Sequence, residues 1–147
     1  MKRMKKNWGS GLANNPKVSL LLKRLMVLAL VSTMAYVINR LLVIPMWPDF
    51  DFPRKYLGDI LALPVYLPLS FYLALRLRLI PEDFKLHFMH IMAAGVIFSI
   101  LFEGLVPLID QTSTPDPFDI LAYFAGGLVV YTVAALTRKQ TMTTIQD

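Results

Sequence analysis

The sequence predicts an all-α protein, a bundle of four transmembrane helices. Of its 147 residues, 56% are hydrophobic and 17% are charged, and the mean hydropathy is +0.54. Soluble domains carry about 25% charged residues, so this chain has too few charges for that class. Its apolar residues also gather into four runs of about 20 residues, a length that as a helix spans the roughly 30 Å hydrocarbon core of a bilayer.

The four apolar runs set the domain organisation. We predict spans at about 25–44, 56–75, 86–108 and 118–136, which together form a transmembrane domain over 25–137. A basic tail at 1–24 precedes this domain, and a polar tail at 138–147 follows it. The first run does not read as a signal peptide, because it is too long and no small-residue cleavage site follows it.

Prolines and small residues mark special positions in the spans. Pro64 and Pro68 each remove a helix hydrogen bond, which membrane helices tolerate when neighbouring groups satisfy the freed carbonyls. Ala122 and Gly126 form a small-xxx-small face, which predicts close helix packing. Pro81 predicts the start of the third helix, because proline is favoured at the first helical position.

The fourth span opens with a capping pattern, Asp116-Pro117-Phe118-Asp119. Asp116 is typical of an N-cap and Pro117 of the first helical position. Asp119 stands where an acid bonds back to the N–H of the N-cap residue. Both aspartates can serve as helix caps or can line a site, and Asp119 can do both.

The distribution of charge predicts the topology. Twelve of the fifteen Lys and Arg residues lie in the two tails and the segment between the second and third spans; the other three are Arg40, Arg54 and Lys55. Basic segments stay in the cytoplasm, so both termini are predicted to be cytoplasmic. Seven of the ten acids lie towards the opposite end of the bundle: Asp49, Asp51, Asp59, Glu103, Asp110, Asp116 and Asp119.

Four charged residues of the spans fall at a similar depth near the outer side: Arg40, Asp59, Glu103 and Asp119. A charge inside a span is costly, so such a residue is by default a candidate functional site. We predict that these groups converge on an acidic outer mouth, where Arg40 pairs with Asp59 or Glu103. Ser32, Tyr36 and Arg40 recur every four residues and are predicted to share one face. The alternative is a structural clasp that fixes helix register and binds no ligand.

Several kinds of chemistry are disfavoured. The chain has no cysteine, hence no disulfide, thiolate metal site or cysteine nucleophile. It has no GxSxG, Walker, HExxH or GxGxxG motif. His87 and His90 lack an obvious third ligand, so no metal site or cofactor is predicted. The net charge of +5 does not indicate nucleic acid, because the basic residues flank apolar runs.

Three short motifs stand in the central and C-terminal part of the chain: YLGDILALP around Asp59, FEGLVP with Glu103, and TPDPFDILAYFAGG with Asp116, Asp119 and Gly126. Through the last two motifs this part resembles the VanZ-like family of small bacterial membrane proteins, and the first is similar to relatives of that group. The resemblance covers about residues 55–131. It implies a location in the bacterial inner membrane, and for the namesake a contribution to resistance against teicoplanin.

Three functions fit these observations. The first is a non-enzymatic envelope protein whose outer mouth binds a lipid headgroup, a cationic ligand or a partner. The second is a membrane enzyme on lipid-linked phosphate, with Asp59, Glu103 and Asp119 on Mg²⁺ and Arg40 on phosphate. The third is a small transporter subunit, which would need an oligomer. The predicted partners are the bilayer and, at the basic N-terminal tail, anionic lipid headgroups.

Overall fold

The computed structural model describes residues 16–81, 84–109 and 116–143, and every element in these ranges is helical. The helices are α1 (Pro16–Ile38), α2 (Asp51–Lys55), α3 (Leu57–Arg76), α4 (Phe88–Ser99) and α5 (Pro117–Thr143). Two π-helical segments prolong α1 and α4: πA (Asn39–Val43), with a last turn at Ile44–Met46, and πB (Ile100–Leu105), with a last turn at Val106–Ile109.

Within the described ranges, four stretches are long and apolar enough to cross a membrane: Val18–Met46, Asp51–Arg76, Phe88–Leu105 and Pro117–Gln140. The predicted all-α fold with four membrane-length helices is therefore confirmed. Helix α1 begins inside the range predicted as a basic tail, and residues 1–15 of that tail lie outside the described residues.

Helices α3 and α5 form the centre of the bundle. Helix α1 packs against both of them, and α4 packs mainly against α5. The apolar core includes Leu25, Phe71, Ile91 and Val130, one from each long helix. Large apolar side chains such as Leu41 and Leu121 are instead more than 60% exposed on the outside of the bundle. An apolar exterior of this kind is expected where the surroundings are lipid rather than water.

The contact between α3 and α5 is close at Gly126. A β-carbon added there would collide with the carbonyl oxygen of Ile60 and would lie 3.0 Å from Cδ of Pro64. Pro64 has no N–H to bond the carbonyl of Ile60, four residues earlier in α3. Gly126 lets the backbone of α5 approach this carbonyl, because glycine has no β-carbon to collide with it. The predicted close packing at Ala122 and Gly126, both buried, is confirmed.

The third long helix starts later than predicted. Pro81 is not helical, and α4 begins at Phe88. His87 is its N-cap, and the Nδ1 atom of His90 accepts a hydrogen bond of 3.0 Å from the backbone N–H of His87. A His pair can provide this reciprocal capping because a neutral imidazole offers one acceptor nitrogen. The structure thus gives the two histidines a role in capping the start of α4.

Candidate functional site

Four carboxylates meet near one end of the bundle, and we call them the acid cluster: Asp59, Glu103, Asp116 and Asp119. Asp59 comes from the first turn of α3 and Glu103 from πB. Asp116 precedes α5, and Asp119 lies in its first turn. All four side chains are half-buried. Helix packing brings the acids together. Helix α3 packs on α5, α4 also packs on α5, and πB contacts α5 where Phe102 and Glu103 meet Tyr123.

Glu103 connects the end of the third span to the start of the fourth. Its Oε2 atom accepts a hydrogen bond of 3.0 Å from the backbone N–H of Asp116. This is the bond that the capping pattern assigns to Asp119, so that part of the prediction is wrong. The side chain of an aspartate is one methylene shorter than the Glu or Gln preferred at this position. Glu103 reaches the same N–H from another helix and leaves the Asp119 carboxylate available to the cluster.

Asp116 holds the first turn of α5 and links it to α3. Its Oδ1 atom accepts a hydrogen bond of 2.9 Å from the backbone N–H of Phe118, which satisfies one of the free donors at the start of a helix. Its Oδ2 atom accepts a 3.3 Å bond from the hydroxyl of Tyr56. Asp116 is therefore both a helix cap and a member of the cluster.

Tyr123 also contacts the acids, and it is not among the site residues that the sequence predicts. Its side chain is buried, and its hydroxyl donates to Oε1 of Glu103 at 3.3 Å. The Asp59 carboxylate lies close to the same hydroxyl. A phenol has a single proton to donate, so Tyr123 cannot fully satisfy both carboxylates. The signal in the sequence was its position, four residues after Asp119 on the same helix face.

The acid cluster has no basic partner in the described part of the chain. The charged neighbours of Asp119 are Asp59, Glu103 and Asp116, all of them acidic. The ion pairs between described residues join Asp51 to Arg54 at 3.8 Å and to Lys55 at 3.1 Å, outside the cluster. The predicted ion pair of Arg40 with Asp59 or Glu103 is therefore not formed.

Arg40 is exposed because the predicted shared face does not persist along α1. The buried side chains described in α1 and πA are Val18, Leu25, Ala29, Ser32 and Asn39, whose spacing of three, four or seven residues forms a straight seam. Steps of four residues turn away from such a seam, so Tyr36 is 45% exposed and Arg40 is exposed. Arg40 lies near the end of the span, where a long side chain can extend to the interface.

Asn39, the first residue of πA, occupies the seam position next to Arg40. It is the buried polar residue at this end of the first span. It is 3% exposed, and its Nδ2 atom donates a hydrogen bond of 2.9 Å to the carbonyl of Pro53. Its Oδ1 atom is buried and has no hydrogen-bond partner among the described residues. Asn39 thus anchors the end of α1 to α2, the element that leads into α3 and Asp59.

The Asn39 contact gives the first testable prediction. Asn39→Asp should lower the free energy of unfolding by about 1–3 kcal/mol, because an acceptor-only carboxylate would face the Pro53 carbonyl. Asn39→Leu should cost less, since it also removes the unsatisfied Oδ1 atom. Thermal unfolding of the purified protein in detergent measures both. An aspartate variant as stable as the wild type would contradict the anchoring role.

Two groups of aromatic rings adjoin the acid cluster through Tyr56 and Tyr123, whose hydroxyls bond to Asp116 and Glu103. Tyr56 contacts Phe52 and Phe118, with ring centroids 6.0 and 6.2 Å apart. Tyr123 contacts Phe98 and Phe102 at 6.2 and 6.1 Å. Ring faces attract cations, and carboxylates next to aromatic rings are a common way to hold an ammonium group.

The donor geometry is less suited to a metal ion. Among the residues that the structure describes, no three His, Asp or Glu side chains are arranged to hold one. The aspartate and glutamate oxygens of the cluster are instead committed partly to Tyr56, Tyr123 and backbone N–H groups. The arrangement suits a larger cation that spreads its charge over several oxygens.

Comparison with known proteins adds no relative to this description. The chain matches no family model, no curated protein and no solved structure.

Proposed function

We propose that this protein is a multi-pass protein of the bacterial cytoplasmic membrane, with both termini in the cytoplasm. Its acid cluster opens to the outer side and binds an ammonium-type cation, either the amine of a lipid headgroup or a soluble ligand. The protein catalyses no reaction on this ligand. The observation that carries the proposal is the set of four half-buried carboxylates with no described cation beside them.

The electrostatics of the cluster support a bound cation. The clustered carboxylates repel one another more strongly near a membrane interface than they would in water, because the local dielectric constant is lower. An ammonium group would balance this negative charge and would donate hydrogen bonds to the carboxylate oxygens that Tyr123 leaves unsatisfied.

We also propose that the chain is related to the VanZ-like group, because it has Glu103, Asp116 and Asp119 in motifs that resemble those of the group. In the structure these three acids are linked through one helix start, since Glu103 accepts from the N–H of Asp116 and Asp119 follows in the first turn. A role in the cell envelope follows from an outward site of this kind. A deletion strain with unchanged lipid composition and unchanged envelope-stress response would contradict that role.

A binding experiment with Glu103 variants tests the proposed ligand class. Glu103→Gln removes one charge and keeps the shape, so it should weaken binding of an ammonium probe about 10- to 100-fold, the loss expected for a charge-assisted hydrogen bond. Glu103→Lys should abolish binding, because its own ammonium group would occupy the cluster. The probes are free ethanolamine and short-chain phosphatidylethanolamine, with phosphatidylglycerol of the same chain length as the anionic control.

Asp51→Asn is the matched control. Asp51 is an exposed acid on the same side of the bundle, and it is already paired with Arg54 and Lys55. Its loss should change affinity by no more than about twofold, because exposed charges are screened. Equal losses in Glu103→Gln and Asp51→Asn would show only a general effect of charge and would contradict the site. A response to Mg²⁺ that exceeds the response to ethanolamine would instead favour the enzyme on lipid-linked phosphate.

A further inference from the structure

A second feature lies at the end of α1 opposite the acid cluster. It is an apolar groove of about 550 Å³ between α1 and α5. The walls are mostly aliphatic: Leu20, Val27, Leu28, Val31, Val133 and Leu136. Two cations, Lys23 and Arg24, also line it and lie near the N-terminal end of α1. The groove is independent of the acid cluster, because no residue lines both.

The groove faces the surroundings of the bundle. Val27, Val31 and Leu136 are each more than half exposed. Along α1 the lining extends from Leu20 to Val31, which at 1.5 Å per residue is roughly 17 Å. Half of the hydrocarbon core of a bilayer is about 15 Å thick, so the groove has the length of one acyl chain in one leaflet.

The cations at the groove are positioned for an anion. Arg24 is half-buried, and its Nη1 atom donates a 3.4 Å hydrogen bond to Oγ1 of Thr137 on α5. The Thr137 hydroxyl in turn donates to the carbonyl of Val133 at 2.7 Å. This bond fixes the orientation of the hydroxyl that accepts from the Arg24 guanidinium. No described carboxylate forms an ion pair with Lys23 or Arg24.

We propose that this groove is a binding site for an anionic phospholipid. One acyl chain lies along the aliphatic wall between α1 and α5, and the phosphate is held by Lys23 and Arg24. The combination of an apolar channel of acyl length and two cations at one end selects this occupant. A zwitterionic lipid of the same chain length offers the same tail but carries a compensating positive charge at its headgroup.

Native mass spectrometry of the full chain in detergent tests the site. The protein is mixed with equal amounts of phosphatidylglycerol and phosphatidylethanolamine of identical acyl chains, and the retained lipid is identified. The wild type should retain phosphatidylglycerol preferentially. Lys23→Gln with Arg24→Gln should reduce that preference roughly thirtyfold, since each cation contributes about fivefold near an anionic lipid.

Two pairs of variants separate this site from general effects. Arg76→Gln with Lys85→Gln removes the same number of positive charges from the same end of the bundle, away from the groove, and should leave the preference within about threefold. Val27→Trp should fill the groove and lower retention of both lipids, whereas Met34→Trp, on an exposed position outside the lining, should not. If the double variant at Arg24 does not fold, Lys23→Gln alone should still reduce the preference about fivefold.

Three results would overturn the proposal. The first is an equal loss of preference in the two charge-removing pairs, and the second is full lipid retention by Val27→Trp. The third is stabilisation by inorganic phosphate equal to that by phosphatidylglycerol, which would show that the acyl chain plays no part.

Discussion

Gly126→Ala should destabilise the bundle by about 2–3 kcal/mol, the upper part of the range for overpacking a core. The added methyl group would collide with the carbonyl oxygen of Ile60, and it would also lie 3.0 Å from Cδ of Pro64. A backbone carbonyl and a proline ring cannot rotate aside as a flexible side chain can. Helices α3 and α5 must therefore separate, and the contacts beside Gly126 are lost with them. Thermal unfolding in detergent, followed by size-exclusion elution, measures the effect.

Gly104→Ala is the control for this prediction. Gly104 is exposed in πB, and a β-carbon there would meet no heavy atom within 4 Å. Alanine lowers the entropy of the unfolded chain and favours a helix by about 0.5–1 kcal/mol over glycine. The control variant should consequently be as stable as the wild type or slightly more stable. If both alanine variants unfold at the same temperature, the close approach of α3 and α5 at Gly126 is contradicted.

An all-or-none result is expected for the orientation of the bundle. The chain has no cysteine, so single cysteines can be introduced into a clean background. Asp49→Cys lies in the exposed turn between α1 and α2, and Leu79→Cys lies in the exposed connection after α3. With basic residues retained in the cytoplasm, Asp49→Cys should face the outside and Leu79→Cys the inside.

Labelling of intact cells with a membrane-impermeant maleimide measures this orientation. Asp49→Cys should react before lysis, and Leu79→Cys should react only after lysis. The opposite pattern would place the acid cluster on the cytoplasmic side and would contradict an outward site. Labelling of both positions in intact cells would show that the described helices do not all cross the membrane.

At the start of α5, the local sequence pattern predicts where the helix begins, and tertiary contact decides which acid caps it. The sequence Asp116-Pro117 predicts a helix that begins there, and α5 begins at Pro117. The pattern could not show that Glu103 takes the reciprocal capping bond, because the competing acceptor is 13 residues away in sequence. Only the packing of πB against α5 brings that carboxylate to the N–H of Asp116.

The residues of α1 show a different limit. Asn39 and Arg40 are adjacent. The sequence predicts an ion pair for Arg40 because it is the charged residue of the two. The outcome depends on a rotation of about 100° between neighbours on a helix, which puts Asn39 in the seam and Arg40 outside it. A spacing of four residues drifts away from a seam, and the π-helical turn at Asn39–Val43 is not apparent in the sequence.

The sequence by itself determined that the chain is helical and has four segments of membrane length, because apolar run length and the scarcity of charge within each run are set by residue order without any tertiary contact. It also placed the acids near one end of the predicted bundle. The tertiary structure decided which of them meet, that Tyr123 lies between Glu103 and Asp59, and that Arg40 stays outside. Those contacts depend on helix rotation and on the close approach of α3 and α5 at Gly126, which no single segment specifies on its own.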